Sequence, residues 1–144
     1  MVQSWRDIIS RGAWMYAATF LMMLMEMLYS LYWAFSDILI RVLPASHALL
    51  GPDMVDFVLN APLWQEVIYF TGVGLIVASF VLMSMRRTLV ILTYPLAMLC
   101  FSIDWVVAAA TGADFLTAPG YISLVYQGVV ITLLFLLLNR RDLS

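Results

Sequence analysis

The sequence predicts an all-α integral membrane protein with four transmembrane helices and both termini in the cytoplasm. Three observations carry that prediction. Of the 144 residues, 65% are hydrophobic and 11% charged, with a mean hydropathy of +0.99, whereas a soluble domain carries about 25% charged and 45–50% apolar residues. A water-soluble core cannot hide that much apolar surface, so lipid must act as solvent. Four segments, 13–40, 63–85, 88–110 and 120–138, approach or exceed the length of about 20 apolar residues that crosses a bilayer. The arginines are also asymmetric. Arg6 and Arg11 precede the first span, Arg86 and Arg87 separate the second from the third, and Arg140 and Arg141 follow the fourth. The other two connections hold Arg41 against Asp53, Asp56 and Asp114. Positive charge stays on the cytoplasmic side, which sets the orientation.

The stretch 4–10, "SWRDIIS", reads as a short interfacial helix. Ser4 and Asp7 have capping-box spacing, with Asp in place of the usual Glu, and Trp5, Ile8 and Ile9 face lipid. A disordered tail is the alternative. The first apolar run is far longer than the hydrophobic part of a signal peptide, so it reads as a retained anchor. It also exceeds the bilayer thickness and is expected to tilt or project into water.

Span one carries the most informative pattern. Thr19, Glu26, Ser30, Trp33, Asp37 and Arg41 recur every three, four or seven residues and share one helical face. Such a face points at protein, with Leu24 and Leu31 more toward lipid. Asp37 and Arg41, four apart, are spaced to pair. Glu26 lies near the middle, where a charge costs about 2.5–3.5 kcal/mol on insertion scales. It is a candidate intramembrane site, though a hydrogen-bonded carboxyl that joins helices is the more economical reading.

The connection 43–61 mixes "LPASH", "GPD" and the apolar "MVDFVL" and is expected to lie on the membrane surface. Spans two and four open similarly, on "APLWQEVIY" (Ala61–Tyr69) and "APGYISLVY" (Ala118–Tyr126). Proline suits a first helical turn, and the aromatics suit the interface. Convergence explains the echo. Duplication of a two-helix hairpin, giving two parallel repeats, explains it equally well. Glu66 sits one turn into span two, where the helix dipole favours a carboxylate. Asp104 sits in span three among Thr93, Ala97, Cys100, Ala108 and Thr111. Asp37, Glu66 and Asp104 either converge on an acidic outer vestibule or are three unrelated interfacial residues; on the sequence alone the second reading is preferred. Gly72, Gly74, Ala78 and Gly128 are small residues that allow close helix packing, within the chain or with another chain. Tyr94-Pro95 is expected to kink span three.

Catalytic chemistry is not expected. One cysteine, Cys100, excludes an internal disulfide and a cysteine metal cluster; one histidine, His47, excludes bis-histidine haem ligation within the chain. No glycine-rich phosphate loop or HExxH motif occurs, and the charge of −2 carries no nucleic-acid signature. Cys100 is expected to be buried and inert. No cofactor is predicted beyond lipid or pigment bound at the surface. No linker divides the chain, so residues 1–144 read as one domain.

Pro62-x-Trp64, Gly72, Gly74 and the Arg86-Arg87 hinge resemble a widespread group of uncharacterised bacterial four-helix membrane proteins. The resemblance covers Ala61 to Arg87. It implies a multi-pass protein of the bacterial inner membrane and transfers no activity and no site residue. Two function classes follow. One is a non-catalytic accessory subunit of a larger inner-membrane complex, respiratory or photosynthetic, with lipid and other subunits as partners. The alternative is a small oligomeric transporter or channel for a proton, cation or small solute. The first is favoured by small size, absent chemistry and many Met and aromatic residues.

The orientation is testable. A cysteine introduced at Asn60 or Ala113 reacts with an impermeant thiol reagent from outside the cell, and one at Arg87 does not. Reversed labelling overturns the assignment.

Overall fold

The computed structural model describes residues 12–110, 117–140 and 143. The stretch 4–10 and the residues Arg6, Arg11, Thr111, Asp114 and Arg141 lie outside that set. The described chain is helical throughout: α1 (Gly12–Val42), a 3₁₀ turn (Pro44–Ser46), α2 (His47–Leu50), α3 (Pro52–Asn60), α4 (Leu63–Ser84), α5 (Val90–Ala110) and α6 (Thr117–Asn139). Four of these are long and apolar enough to cross a membrane: Ala13–Val42, Leu63–Ser84, Val90–Ala110 and Gly120–Asn139. These agree with the expected spans to within two residues at each end. The chain thus has the makeup of a multi-pass membrane protein.

The long helices form a ring. α1 packs on α4 and α6, and α5 packs on the same two, so α1 faces α5 across the bundle. We call the end holding Ser84, Val90 and Asn139 proximal, and the end holding Leu63 and Ala110 distal. The two ends pack differently. The proximal half is a dry core in which Met23, Ile76, Met83, Val90, Val130 and Leu137 lose all contact with solvent. The polar groups there are paired. Ser79 Oγ is 2.7 Å from the Leu75 carbonyl and 2.9 Å from Thr93 Oγ1, and the Tyr16 hydroxyl donates to the Met83 carbonyl at 2.8 Å.

The α4–α5 turn is closed by backbone bonds. The Arg87 N–H reaches the Leu82 carbonyl at 2.8 Å and the Arg86 N–H reaches the Met83 carbonyl at 2.9 Å. This is the Schellman pattern, with Arg86 in the left-handed position (φ 56°) that glycine usually fills. The Arg86 guanidinium lies 4.5 Å from the centroid of the Tyr16 ring, a cation–π contact that holds the turn against α1.

At 1.5 Å per residue, the 31 residues of α1 span about 46 Å, well beyond a hydrocarbon core of about 30 Å. In the connection after α1, α3 folds back on that helix, and Val55 and Val58 pack against Ile40. The carbonyls at the end of α1 are satisfied locally. The Ser46 hydroxyl bonds Leu39 and Leu43 at 3.2 and 2.8 Å, and His47 Nε2 lies 2.9 Å from the Ile40 carbonyl. His47 thus caps a helix end rather than standing free at the surface. Pro62 is the N-cap of α4 and Pro119 lies in the first turn of α6. Pro95 lies inside α5, which continues through it.

The small residues divide. A Cβ on Gly72 would come 2.9 Å from the Phe101 ring and 3.0 Å from the Cys100 Cβ. Gly72 therefore lets α4 and α5 approach closely, and Cys100 is half-buried against it rather than fully enclosed. Gly74 and Gly128 meet nothing within 4 Å and Ala78 is exposed, so these three do not pack helices within this chain. Small-residue spacing does not say which face of a helix turns inward. Accordingly, Gly72→Leu is expected to cost about 1–3 kcal/mol through overpacking and to lower the thermal midpoint in detergent, while Gly74→Leu leaves it unchanged. A comparable loss from Gly74→Leu would reveal a second chain seated on that face.

Candidate functional site: a membrane-embedded acidic cavity

The distal half of the ring is open where the proximal half is filled. A cavity of about 570 Å³ lies between the helices and is lined from α1, α3, α4, α5 and α6. The four carboxylic residues singled out from the sequence, Glu26, Asp37, Glu66 and Asp104, all line it. The preference for three unrelated interfacial residues is thus replaced by a shared, half-open cavity, because the ring order turns one face of each long helix toward the same space.

Glu26 forms the floor. It is 8% exposed and accepts a hydrogen bond from the hydroxyl of Tyr94, which is fully buried on α5. Gln127, on α6, is nearly buried and lines the same cavity, its amide donating to Ser123 Oγ at 2.8 Å. The Glu26–Tyr94 bond joins α1 to α5 across the ring. Close by, the Tyr126 hydroxyl donates to the Met22 carbonyl at 2.7 Å.

The walls alternate rings and acceptors. Tyr69 and Phe101 lie with centroids 6.0 Å apart, and the Tyr69 hydroxyl reaches the Ser30 carbonyl at 3.5 Å. Gln65, 3% exposed, donates from its amide to Asp104 at 2.8 Å. Tyr69 and Tyr126, the matching tyrosines of the repeated stretch, both turn on α1. A two-fold exchanging the hairpins would send one of them to α5.

The mouth is held by Arg41. Its guanidinium is 2.7 Å from Asp37, 2.9 Å from Glu66 and 2.7 Å from the Val58 carbonyl. The expected Asp37–Arg41 pair is present, and Glu66 joins it. The cluster ties α1, α3 and α4 together, with Met54, Phe57 and Val58 of α3 roofing the cavity. At the start of α6, a Cβ on Gly120 would fall 1.7 Å from the Trp105 indole nitrogen. Glycine there is what lets the indole close that wall, edge-on to Tyr121 at 5.3 Å. Along α1, Asp37 stands about 16 Å beyond Glu26 at 1.5 Å per residue, so the cavity is deep as well as wide.

Gln65, Tyr94, Gly120 and Gln127 were not singled out as site residues. The two glutamines carried a signal, since each interrupts an apolar span where a polar side chain needs a partner. Among the described residues, no three His, Cys, Asp or Glu side chains are placed to hold a metal ion. No protein-family model, curated protein or solved structure matches this chain, so function is argued from this geometry.

The floor yields a coupling measurement. In a double-mutant cycle of Glu26→Gln and Tyr94→Phe, unfolding in detergent should give a coupling of about 0.6 kcal/mol, rising toward about 1.7 at most, as for other hydrogen bonds between membrane helices. Zero coupling would show that the two side chains do not stabilise each other.

Proposed function

We propose that this protein is a small, non-catalytic membrane transporter or channel that admits a proton, cation or small solute to the distal cavity. The observation that carries this reading is the convergence of Glu26, Asp37, Glu66 and Asp104 on one half-open cavity. Acidic residues within spanning helices are costly and mark solute and ion routes. With both termini cytoplasmic in a bacterial inner membrane, the mouth faces outward and the dry proximal core closes the route to the cytoplasm.

An accessory role in a larger inner-membrane complex is favoured by a different feature. Trp64, Val67, Thr71, Gly74, Ala78, Val81 and Met85 are all exposed and follow alternating steps of three and four along α4 and its end. The small residues at its centre would allow another membrane helix to approach closely.

Two measurements separate the readings. Ser102→Cys, in a Cys100→Ser background, should be labelled from the distal side by a water-soluble thiol reagent, because Ser102 lines the cavity. Vesicles containing the protein should show proton or cation flux that Glu26→Gln abolishes with normal yield. A stable hetero-complex by native mass spectrometry, with no flux in either version, favours the accessory role.

A further inference from the structure

The chemistry of the cavity narrows the solute, if the cavity is a solute site as proposed above. Size is the first constraint. About 570 Å³ falls in the range of roughly 300–1,000 Å³ typical of pockets for organic ligands and far exceeds the needs of a bare ion. The dispersed carboxyls give no metal cluster among the described residues, so the site is not built for a divalent cation.

Charge is the second constraint. The Arg41 guanidinium is shared between Asp37 and Glu66. Among the described residues the deeper carboxyls bond only uncharged partners: Glu26 accepts from Tyr94, and Asp104 from the Gln65 amide. The interior is therefore rich in acceptors, with no cationic side chain among its described lining residues. Rings provide much of the remaining lining, including Trp33, Tyr69, Phe101 and Trp105. Aromatic faces attract cations and also pack apolar groups.

Ser30 supplies an independent indication. It is 7% exposed and lines the cavity one turn above Glu26. Among the described residues its hydroxyl has no hydrogen-bond partner, although a helical serine commonly back-bonds to the preceding turn, as Ser36 and Ser79 do here. Buried polar groups are ordinarily satisfied. An N–H donor placed between Ser30 and Glu26 would satisfy both.

We propose that the cavity binds a hydrophobic amine in its protonated form, its ammonium N–H groups directed at Glu26 and Ser30 and its apolar substituents against Tyr69, Phe101 and Trp105. Asp104 and the mouth carboxyls draw the cation in.

The test uses the full chain in nanodiscs of zwitterionic lipid, titrated with dibenzylammonium and with dibenzyl ether, which has the same shape without the charge or the N–H. N,N-dimethyldibenzylammonium keeps the charge and removes the donors. Dibenzylammonium is expected to bind at least about tenfold more tightly than either analogue, as hydrogen bonds to charged groups imply. Glu26→Gln should remove most of that advantage and Ser30→Ala part of it. Asp104→Asn, remote from the Glu26–Tyr94 contact, should weaken both cations and leave the ether unaffected. Thermal midpoints of all variants identify any that fail to fold. Equal binding of ether and ammonium overturns the amine and leaves a neutral solute in the same cavity. Equal binding of the two cations overturns the N–H assignment to Ser30 and Glu26. No binding of any probe, with Ser102→Cys still labelled, overturns this proposal alone. Failure of that labelling overturns the solute reading with it.

Discussion

One carboxyl within the membrane organises the bundle. Glu26 is nearly enclosed in spanning helix α1, and the neighbours of that helix in the ring are α4 and α6. A buried carboxyl needs a partner, and the one it finds is the Tyr94 hydroxyl on the opposite helix α5. That requirement fixes α1 against α5 at a definite height. On the proximal side of the contact, Met, Val and Leu side chains close the ring completely. On the distal side, the larger rings and polar residues leave it open. The boundary between a dry half and a hollow half thus falls where the polar contact falls.

The mouth obeys the same rule in a wetter setting. The last turns of α1 find their partners within the chain. Ser46 and His47 bond its terminal carbonyls, and Arg41 reaches Asp37, Glu66 and the Val58 carbonyl. Surface ion pairs contribute little singly, about 0–1 kcal/mol. Their use here is positional. They place α3 over the cavity and set the first turn of α4 against α1. The packing of Ile40, Val55 and Val58 supplies the apolar burial that holds α3 there.

Much of this was legible in particular residues. Lipid as solvent left span length as the dominant signal, so the helices were readable to within a turn. Asp37 and Arg41 pair at a spacing that helical geometry dictates. Glu26 was conspicuous because charge is rare at that depth. Convergence was not legible, since no spacing in the chain encodes which helices are neighbours around a ring. Glu66 meets Arg41, and Gln65 meets Asp104, only because α4 lies between α1 and α5. The small residues were ambiguous for a related reason. Gly72 and Gly74 are two positions apart on one helix and face opposite environments. The apolar residues of "MVDFVL" carried no sign of their partner, because Val55 and Val58 meet Ile40 only when α3 folds back on α1.

The two halves also constrain any passage through the protein. The cavity is separated from the proximal face by side chains with no solvent contact, among them Met23, Ile76, Met83 and Val130. Close-packed interiors do not yield continuously; they switch between discrete arrangements. A route through this core therefore requires α1 and α5 to separate at the proximal end, and the Glu26–Tyr94 contact spans that gap. That hydrogen bond is worth only about 0.6 kcal/mol on average between membrane helices. By itself that shifts a balance between open and closed by only about threefold. The remainder of the barrier lies in the packing of the methionines, whose unbranched, adaptable side chains re-form contacts more readily than a core of branched residues would.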